Sequence, residues 1–90
     1  MNIYTLTGKK VKCTNLTGGY NYDQELAKKY IEVGNEYTID YTDVGSWHTD
    51  VFLREFPEVA FNSVYFENVE KQTPEEDARH PDYVKYNQIL

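Results

Sequence analysis

The most reactive side chains of this 90-residue sequence are its single cysteine, Cys13, and its two histidines, His48 and His80. A structural zinc site needs four ligands, usually in close pairs such as Cys-x-x-Cys, and the sequence contains no such spacing. Cys13 could pair with a histidine as a nucleophile, but it alternates with lysines on the apolar side of a strand, which favours a buried thiol. The sequence therefore predicts neither a metal nor a cofactor.

Other patterns are compatible with hydrolysis. Two pairs of acids could supply a general acid and a general base: Asp40 with Asp43, and Glu75 with Glu76. Acids this dense in a chain of pI ≈ 4.7 are more typical of a solvated surface. Ser63, in the run FNSVYFENV, is better explained as part of a kinked strand than as a catalytic residue. We therefore expect no enzymatic activity, with a small enzyme as the second alternative.

Trp47 and His48 form the most suggestive pair, because they lie at the tip of a predicted hairpin, where burial is difficult. An exposed tryptophan is a common anchor of protein interfaces. The alternative, which the sequence favours, is that Trp47 folds back and packs on Tyr41 or Phe52. If Trp47 is exposed, it and His48 are the first candidates for binding a partner.

A nucleic-acid interface is the first alternative function. Five lysines lie in residues 1–31 and could contact phosphates, namely Lys9, Lys10, Lys12, Lys28 and Lys29. Tyr20 or Tyr22 could stack on bases. The formal net charge of -6 opposes this interpretation, because an acidic protein is repelled by a phosphate backbone. Nucleic-acid binding is therefore not expected.

The C-terminal segment 71–90 has its own helix start and its own charge. Thr73 is a predicted N-cap, Pro74 is the first helical residue, and Glu76 completes a capping box. Three consecutive acids in this first turn are candidate contacts for a basic host protein: Glu75, Glu76 and Asp77.

Three apolar side chains further along this segment share one helical face: Tyr83, Tyr86 and Leu90. Two roles remain open for them. They could dock on a partner, in which case the segment is dispensable for folding, or they could cover an open edge of the protein's own sheet. We expect the first, because the strand pattern is complete by Val69.

The remaining elements are predicted by strict alternation of apolar and polar residues. Residues 10–14 place Val11 inward, and residues 36–42 place Tyr37, Ile39 and Tyr41 on one face. Further strands are predicted at residues 49–56 and 59–69.

Three local irregularities accompany these strands. Asp43 breaks the alternation and indicates a β-bulge. Asn62 is expected to kink the last strand by bonding the neighbouring backbone. A short helix over residues 23–30, opened by a weak capping box from Asn21 to Gln24, forms an insertion at residues 15–31.

Together these elements predict a mostly β fold, a small antiparallel barrel of about five strands in residues 1–70, followed by the acidic helical tail 71–90. Seven side chains are expected in the core: Val11, Tyr37, Ile39, Val51, Leu53, Val64 and Phe66.

Three segments resemble a group of small, mostly uncharacterised proteins of bacteria and their phages: KKVKCTN, YIEVGNEYTIDYTDVGSWHTDVFLREFPEVAFNSVYFE and the turn between them. The group shares a leading strand ending in Cys, a Val-Gly-x-x-Tyr strand entry and a closing Phe-Asn-Ser-Val-x-Phe-Glu motif. The resemblance implies an SH3-like β-barrel and carries no activity with it. The insertion 15–31 and the tail 70–90 depart from the group's pattern.

These observations predict a non-enzymatic interaction module of phage or phage-derived origin. We expect it to bind a host protein through the hairpin and the acidic tail, as an inhibitor of a host defence protein would. A lone cysteine, no apolar run of membrane-spanning length and no signal-peptide core predict a cytoplasmic protein that does not bind membranes. It is expected to be a monomer or a small homo-oligomer.

Overall fold

The structure is a computed structural model, and it describes residues 1–87. Leu90, the last member of the predicted apolar face of the tail, lies outside the described residues. The elements follow the chain in this order: β1 (Lys10–Cys13), α1 (Asn21–Lys28), β2 (Glu36–Val44), β3 (Thr49–Leu53), β4 (Phe56–Asn62), a 3-10 turn (Ser63–Tyr65), β5 (Phe66–Asn68), α2 (Pro74–Asp77) and α3 (Tyr83–Asn87).

The five strands form one antiparallel sheet in the order β4-β3-β2-β1-β5. A mostly β fold of about five antiparallel strands is therefore confirmed. The predicted closure into a barrel is not seen: within residues 1–87, β4 and β5 are the two edges of an open sheet and do not pair with each other. The single strand expected over residues 59–69 is instead interrupted by the 3-10 turn, after which β5 pairs with β1 at the opposite edge of the sheet from β4.

β2 is the central strand, and it changes partner along its length. Its start pairs with β1, and the part from Ile39 to Val44 pairs with β3. The register shifts between Ile39 and Tyr41, so the predicted bulge exists but precedes Asp43. Because a bulge inserts one residue, Tyr41 turns to the outer face, instead of sharing the inner face with Ile39, and is 49% exposed.

Six of the seven side chains predicted for the core are buried, and the seventh, Val64, is 47% exposed. Val64 lies in the 3-10 turn, where the alternation of a strand no longer holds. Asn62 caps this turn as predicted: its side-chain oxygen accepts a hydrogen bond from the Val64 amide at 3.1 Å. The turn directs Tyr65 inward, where it joins Phe61 and Phe66 in an aromatic cluster of the core.

Helix α1 confirms the predicted helical insertion, with bounds two residues earlier. Ala27 within the helix and Ile31 just after its end are both buried in the core. The predicted capping box is wrong, because Tyr20 is the N-cap and makes no side-chain capping bond. Tertiary packing therefore holds this eight-residue helix, which is too short to be stable alone.

The tail lies along the sheet and the N-terminal segment. The capping box at Thr73 is confirmed, with hydrogen bonds in both directions to Glu76. Gln72 donates to the Tyr4 carbonyl at 2.7 Å and accepts from the Leu6 amide at 2.8 Å. His80 is buried against the sheet. These contacts favour the second of the two roles considered for the tail, that of covering the fold.

Within residues 1–87, no helix is both long and apolar enough to cross a membrane.

Candidate protein-binding surface

Trp47 projects from the turn between β2 and β3 and is 96% exposed. The alternative in which it packs on Tyr41 or Phe52 is wrong, because an indole packed on either ring could not be 96% exposed. Those two rings stack on each other, with their centroids 4.3 Å apart. The turn itself is ordered by a hydrogen bond from the Gly45 amide to the His48 carbonyl at 3.1 Å. A side chain at Gly45 would meet that carbonyl oxygen at 2.6 Å, so the tight turn requires glycine.

A groove of about 530 Å³ runs beside this turn and brings together residues from four parts of the chain. Its walls include Tyr20, Trp47, His48, Asn62, Ser63 and Val64. Tyr20 is 78% exposed, so two large aromatic side chains border the groove and are open to solvent. The sequence predicted Trp47 and His48 as contacts, but it did not predict that the Asn62-Ser63 kink lies across from them.

Three polar groups beneath Gly19 support the Tyr20 side of the groove. Asn62 Nδ2 donates to Asp23 Oδ2 at 3.3 Å, and Gly19 has a positive φ of 74°. A side chain at Gly19 would come within 3.2 Å of both Asn62 Nδ2 and the Tyr65 hydroxyl. That hydroxyl is buried without a hydrogen-bond partner among the described residues, and burial together with the Asp23 charge raises its pKa. Glycine at this position therefore lets the loop lie close over the polar cluster.

On the other side of the turn, the outer face of β2 and β3 carries two cross-strand pairs. Tyr41 is paired with Phe52, and Asp43 is paired with Asp50. His48 Nε2 lies 3.2 Å from Asp50 Oδ1. The two-aspartate pair was not predicted from the sequence, although counting outward from the Gly45 turn places the two acids opposite each other.

The end of the tail reaches the same hairpin. The Asp82 carboxylate accepts from the Val44 amide at 3.0 Å, and the Tyr86 hydroxyl donates to the Val44 carbonyl at 3.2 Å. Tyr83 instead packs edge-on against Tyr4, with ring centroids 5.1 Å apart, and is half-buried. Of the predicted tail contacts, Tyr86 therefore lies beside the Trp47 hairpin, while Tyr83 is part of the protein's own packing.

The acids of α2 are placed elsewhere and are largely engaged within the protein. Glu76 forms an ion pair with Lys9 at 2.8 Å, which lowers the pKa of the Glu76 carboxyl. Asp77 accepts hydrogen bonds from Asn2 Nδ2 and Gln72 Nε2. Glu75 is exposed. The structure does not bring these acids together with Trp47, because they lie beside Lys9 at the start of β1.

The lysines proposed for nucleic-acid binding do not form an unopposed basic surface. Lys12 lies between Glu36 and Glu67 in the register of the sheet, and Lys10 donates to the Thr38 hydroxyl at 2.8 Å. Lys28 lies 3.8 Å from Glu25, and both side chains are exposed. Lys29 is also exposed. With Lys9 paired to Glu76, three of the five lysines lie beside at least one acid: Lys9, Lys12 and Lys28.

No group of three or more His, Cys, Asp or Glu side chains that could hold a metal ion occurs in the part of the chain that the structure describes. Cys13 is buried in the core, as predicted, and burial raises the pKa of its thiol. A raised pKa disfavours the thiolate, so the geometry does not support a cysteine nucleophile.

The chain was compared with models of protein families. The family model described as bacteriophage T4 protein Y07B matches residues 9–87. The chain belongs to this phage protein family. The Y07B match runs from the start of β1 into α3, so the helical insertion, the Trp47 hairpin and the tail all lie inside it. No match was found among curated proteins or among solved structures.

Proposed function

We propose that the protein is a non-enzymatic interaction module of a phage, which binds a protein of the bacterial host through the hairpin surface. This surface consists of Trp47 and His48 at the tip, the groove toward Tyr20 and Val64, and the adjacent Tyr86. The observation that carries the proposal is the 96% exposure of Trp47 at the tip of an ordered hairpin.

Physical reasoning supports a binding role for this side chain. The fold does not need Trp47, because the core cluster is complete without it. Holding an indole in water forgoes the stabilisation that its burial would bring. Burial of a tryptophan in a partner's pocket is, however, among the largest single contributions to protein interfaces.

The acidity of the protein supports a partner with a basic surface. A net charge of -6 favours fast encounter with a positively charged protein by electrostatic complementarity. A basic nucleic-acid groove of a host enzyme is a surface of this kind. An acidic phage protein that occupied it would act as an inhibitor of a host defence protein, and this is the specific role that we propose.

The two alternative functions have less support. Nucleic-acid binding would require the lysines to face a phosphate backbone without the acids that accompany them. A hydrolytic site at Ser63 would require a base within hydrogen-bond reach. His48 lines the same groove but is within ion-pair distance of Asp50, and no hydrogen bond joins it to Ser63 in residues 1–87.

The proposal is tested by affinity capture from host lysate with tagged protein, followed by titration calorimetry with the purified partner. We expect Trp47→Ala to weaken binding by about tenfold or more, while its melting temperature stays within a few degrees of the parent. Tyr22→Ala is the matched control, because Tyr22 is an exposed aromatic residue that does not line the groove. Equal affinity of the Trp47→Ala variant and the parent would refute the proposed surface.

A further inference from the structure

We infer that the outer face of the β2–β3 hairpin binds an arginine side chain of the partner, in an arginine subsite formed by Tyr41, Asp43, Trp47, Asp50 and Phe52. This inference rests on the proposed function and specifies the chemistry of the partner.

The first observation is the position of the two aspartates. Asp43 and Asp50 are direct partners across the two strands, where like charges normally destabilise a sheet. The Asp43 side chain is exposed and has no hydrogen-bond or ion-pair partner among the described residues. Asp50 has only His48 beside it, which is a cation only when protonated. The site therefore holds negative charge that the protein does not itself neutralise.

The second observation is the aromatic surface on either side of these acids. The next outward-facing pair along the strands is Tyr41 with Phe52, whose rings are nearly parallel, at an interplanar angle of 10°. At the tip of the hairpin, Trp47 shares a cleft of about 220 Å³ with both aspartates. The carboxylates thus lie between a stacked aromatic pair and an exposed indole.

This combination matches a guanidinium group better than other cations. A guanidinium is planar, forms paired hydrogen bonds with carboxylates and stacks on aromatic rings. An ammonium group gains the charge interaction but cannot form the planar bonds. Calcium takes six to eight oxygen ligands, and no cluster of three or more potential ligand side chains is present in residues 1–87.

The protein's own arginine near this face does not fill the subsite. Arg54 directly follows β3, but its guanidinium lies against Gly8. The bulge between Ile39 and Tyr41 is what creates the arrangement, since it turns Tyr41 and Asp43 outward together. The subsite is therefore open to an arginine on an exposed loop of another protein.

The experiment uses the full chain and the peptide acetyl-Gly-Arg-Gly-amide, followed by two-dimensional NMR. Trp47 is the single tryptophan, so its indole N–H signal reports directly on the site. We expect saturable shifts of the Trp47, Asp43 and Asp50 signals, and an affinity about fivefold or more above that of the neutral citrulline peptide. The lysine peptide should bind more weakly than the arginine peptide.

Variants separate binding from folding. Asp43→Asn should weaken arginine-peptide binding by about fivefold yet keep or raise the melting temperature, because it removes a like-charge pair. Glu32→Gln is the matched control: it loses the same charge, but Glu32 lies in the loop before β2, at the opposite end of that strand from the hairpin tip. The Glu32→Gln variant should bind the arginine peptide with the same affinity as the parent.

Several outcomes would overturn the inference: equal binding of the arginine and citrulline peptides, equal binding of the arginine and lysine peptides, or no effect of Asp43→Asn. Shifts that depend on protein concentration alone would instead assign the face to self-association. If the peptide fails while a host protein still requires Trp47, the inference fails and the proposed function stands. If no host protein requires Trp47, the proposed surface fails whatever the peptide does.

Discussion

The imidazole of His80 and the hydroxyl of Thr42 lie 2.6 Å apart in the interior, and they join the tail to the sheet. His80 Nδ1 accepts from the Asp82 amide at 3.0 Å, so the ring proton of the neutral imidazole lies on Nε2 and is donated to Thr42. The Thr42 hydroxyl in turn donates to the Ile3 carbonyl at 2.7 Å. One continuous network therefore connects the N-terminal segment, the central strand and the tail.

We expect His80→Ala to lower the free energy of unfolding by about 1–3 kcal/mol, because buried polar partners are left unsatisfied. Urea denaturation followed by circular dichroism measures this loss. Arg79→Ala is the control: Arg79 is exposed, and its replacement should change stability by less than about 0.5 kcal/mol. If both replacements lowered the free energy of unfolding equally, the His80 network would make no specific contribution to stability.

Truncation after Lys71 tests whether the tail belongs to the fold. The sequence favoured a tail that is dispensable for folding, but its contacts with Tyr4, Thr42 and Val44 indicate that it covers the sheet. We expect the truncated chain to unfold, to aggregate, or to lose about 10 °C or more of melting temperature. A melting temperature within a few degrees of the parent would support the interaction-only role.

Ile39→Ala tests the register of the central strand. Ile39 is 0% exposed, so its truncation should cost about 2–4 kcal/mol through lost burial and a residual cavity. Val64→Ala serves as the comparison, because the exposed Val64 should lose far less. A cost under about 0.5 kcal/mol for Ile39→Ala would mean that the strand is out of register by one residue.

The ion pair of Lys9 with Glu76 predicts a pH dependence. The hydrogen bond from Lys9 lowers the pKa of Glu76 in the folded state below its ordinary value of 4.5. The unfolded chain then binds more protons, so this contribution is present above pH 4.5 and is lost as the pH falls through the lowered pKa. We expect the melting-temperature difference between the parent and Glu76→Gln to shrink below pH 4.5 and at high salt.

The control for this comparison is Glu75→Gln, an adjacent exposed position without the Lys9 contact. A difference between the parent and Glu76→Gln that stayed constant from neutral to strongly acidic pH would show that the Lys9–Glu76 ion pair does not cause it, since glutamine at this position can still complete the capping box.

Nucleic-acid binding should be weak. Fluorescence anisotropy with generic single-stranded DNA at near-physiological salt should give no submicromolar affinity, because the net charge is -6 and the lysines are accompanied by acids. Submicromolar binding that disappears on joint replacement of Lys9, Lys10 and Lys12 would establish the alternative function in place of host-protein binding.

Much of the fold was predictable because its signals are local. Alternation identified β1 and the start of β2, and Thr73, Pro74 and Glu76 marked the start of α2. Asn62 was correctly predicted to bond the neighbouring backbone. The exposure of Val64 was not predictable from alternation. Asn62 starts a 3-10 turn, and within this turn side chains no longer alternate between the two faces of a strand.

The candidate surface was predictable only in part. Trp47 and His48 are adjacent in the sequence, so their place at a hairpin tip followed from the turn at Gly45. The exposure of Trp47 did not follow, because an indole at a hairpin tip can also fold back onto aromatic rings of the same hairpin. In the structure, Tyr41 and Phe52 stack on each other and Trp47 is exposed.

By itself, the sequence determined β1, the start of β2, the short helices, the buried cysteine and the acidic character, because each depends on residue type or on neighbours a few positions away. Tertiary structure alone decided that the sheet stays open, that His80 lies beneath the tail against Thr42, and that Asp43 faces Asp50 beside Trp47. These relationships depend on strand register and on contacts between segments distant in the chain. Such contacts are selected by how the whole core packs, which no local pattern of residues encodes.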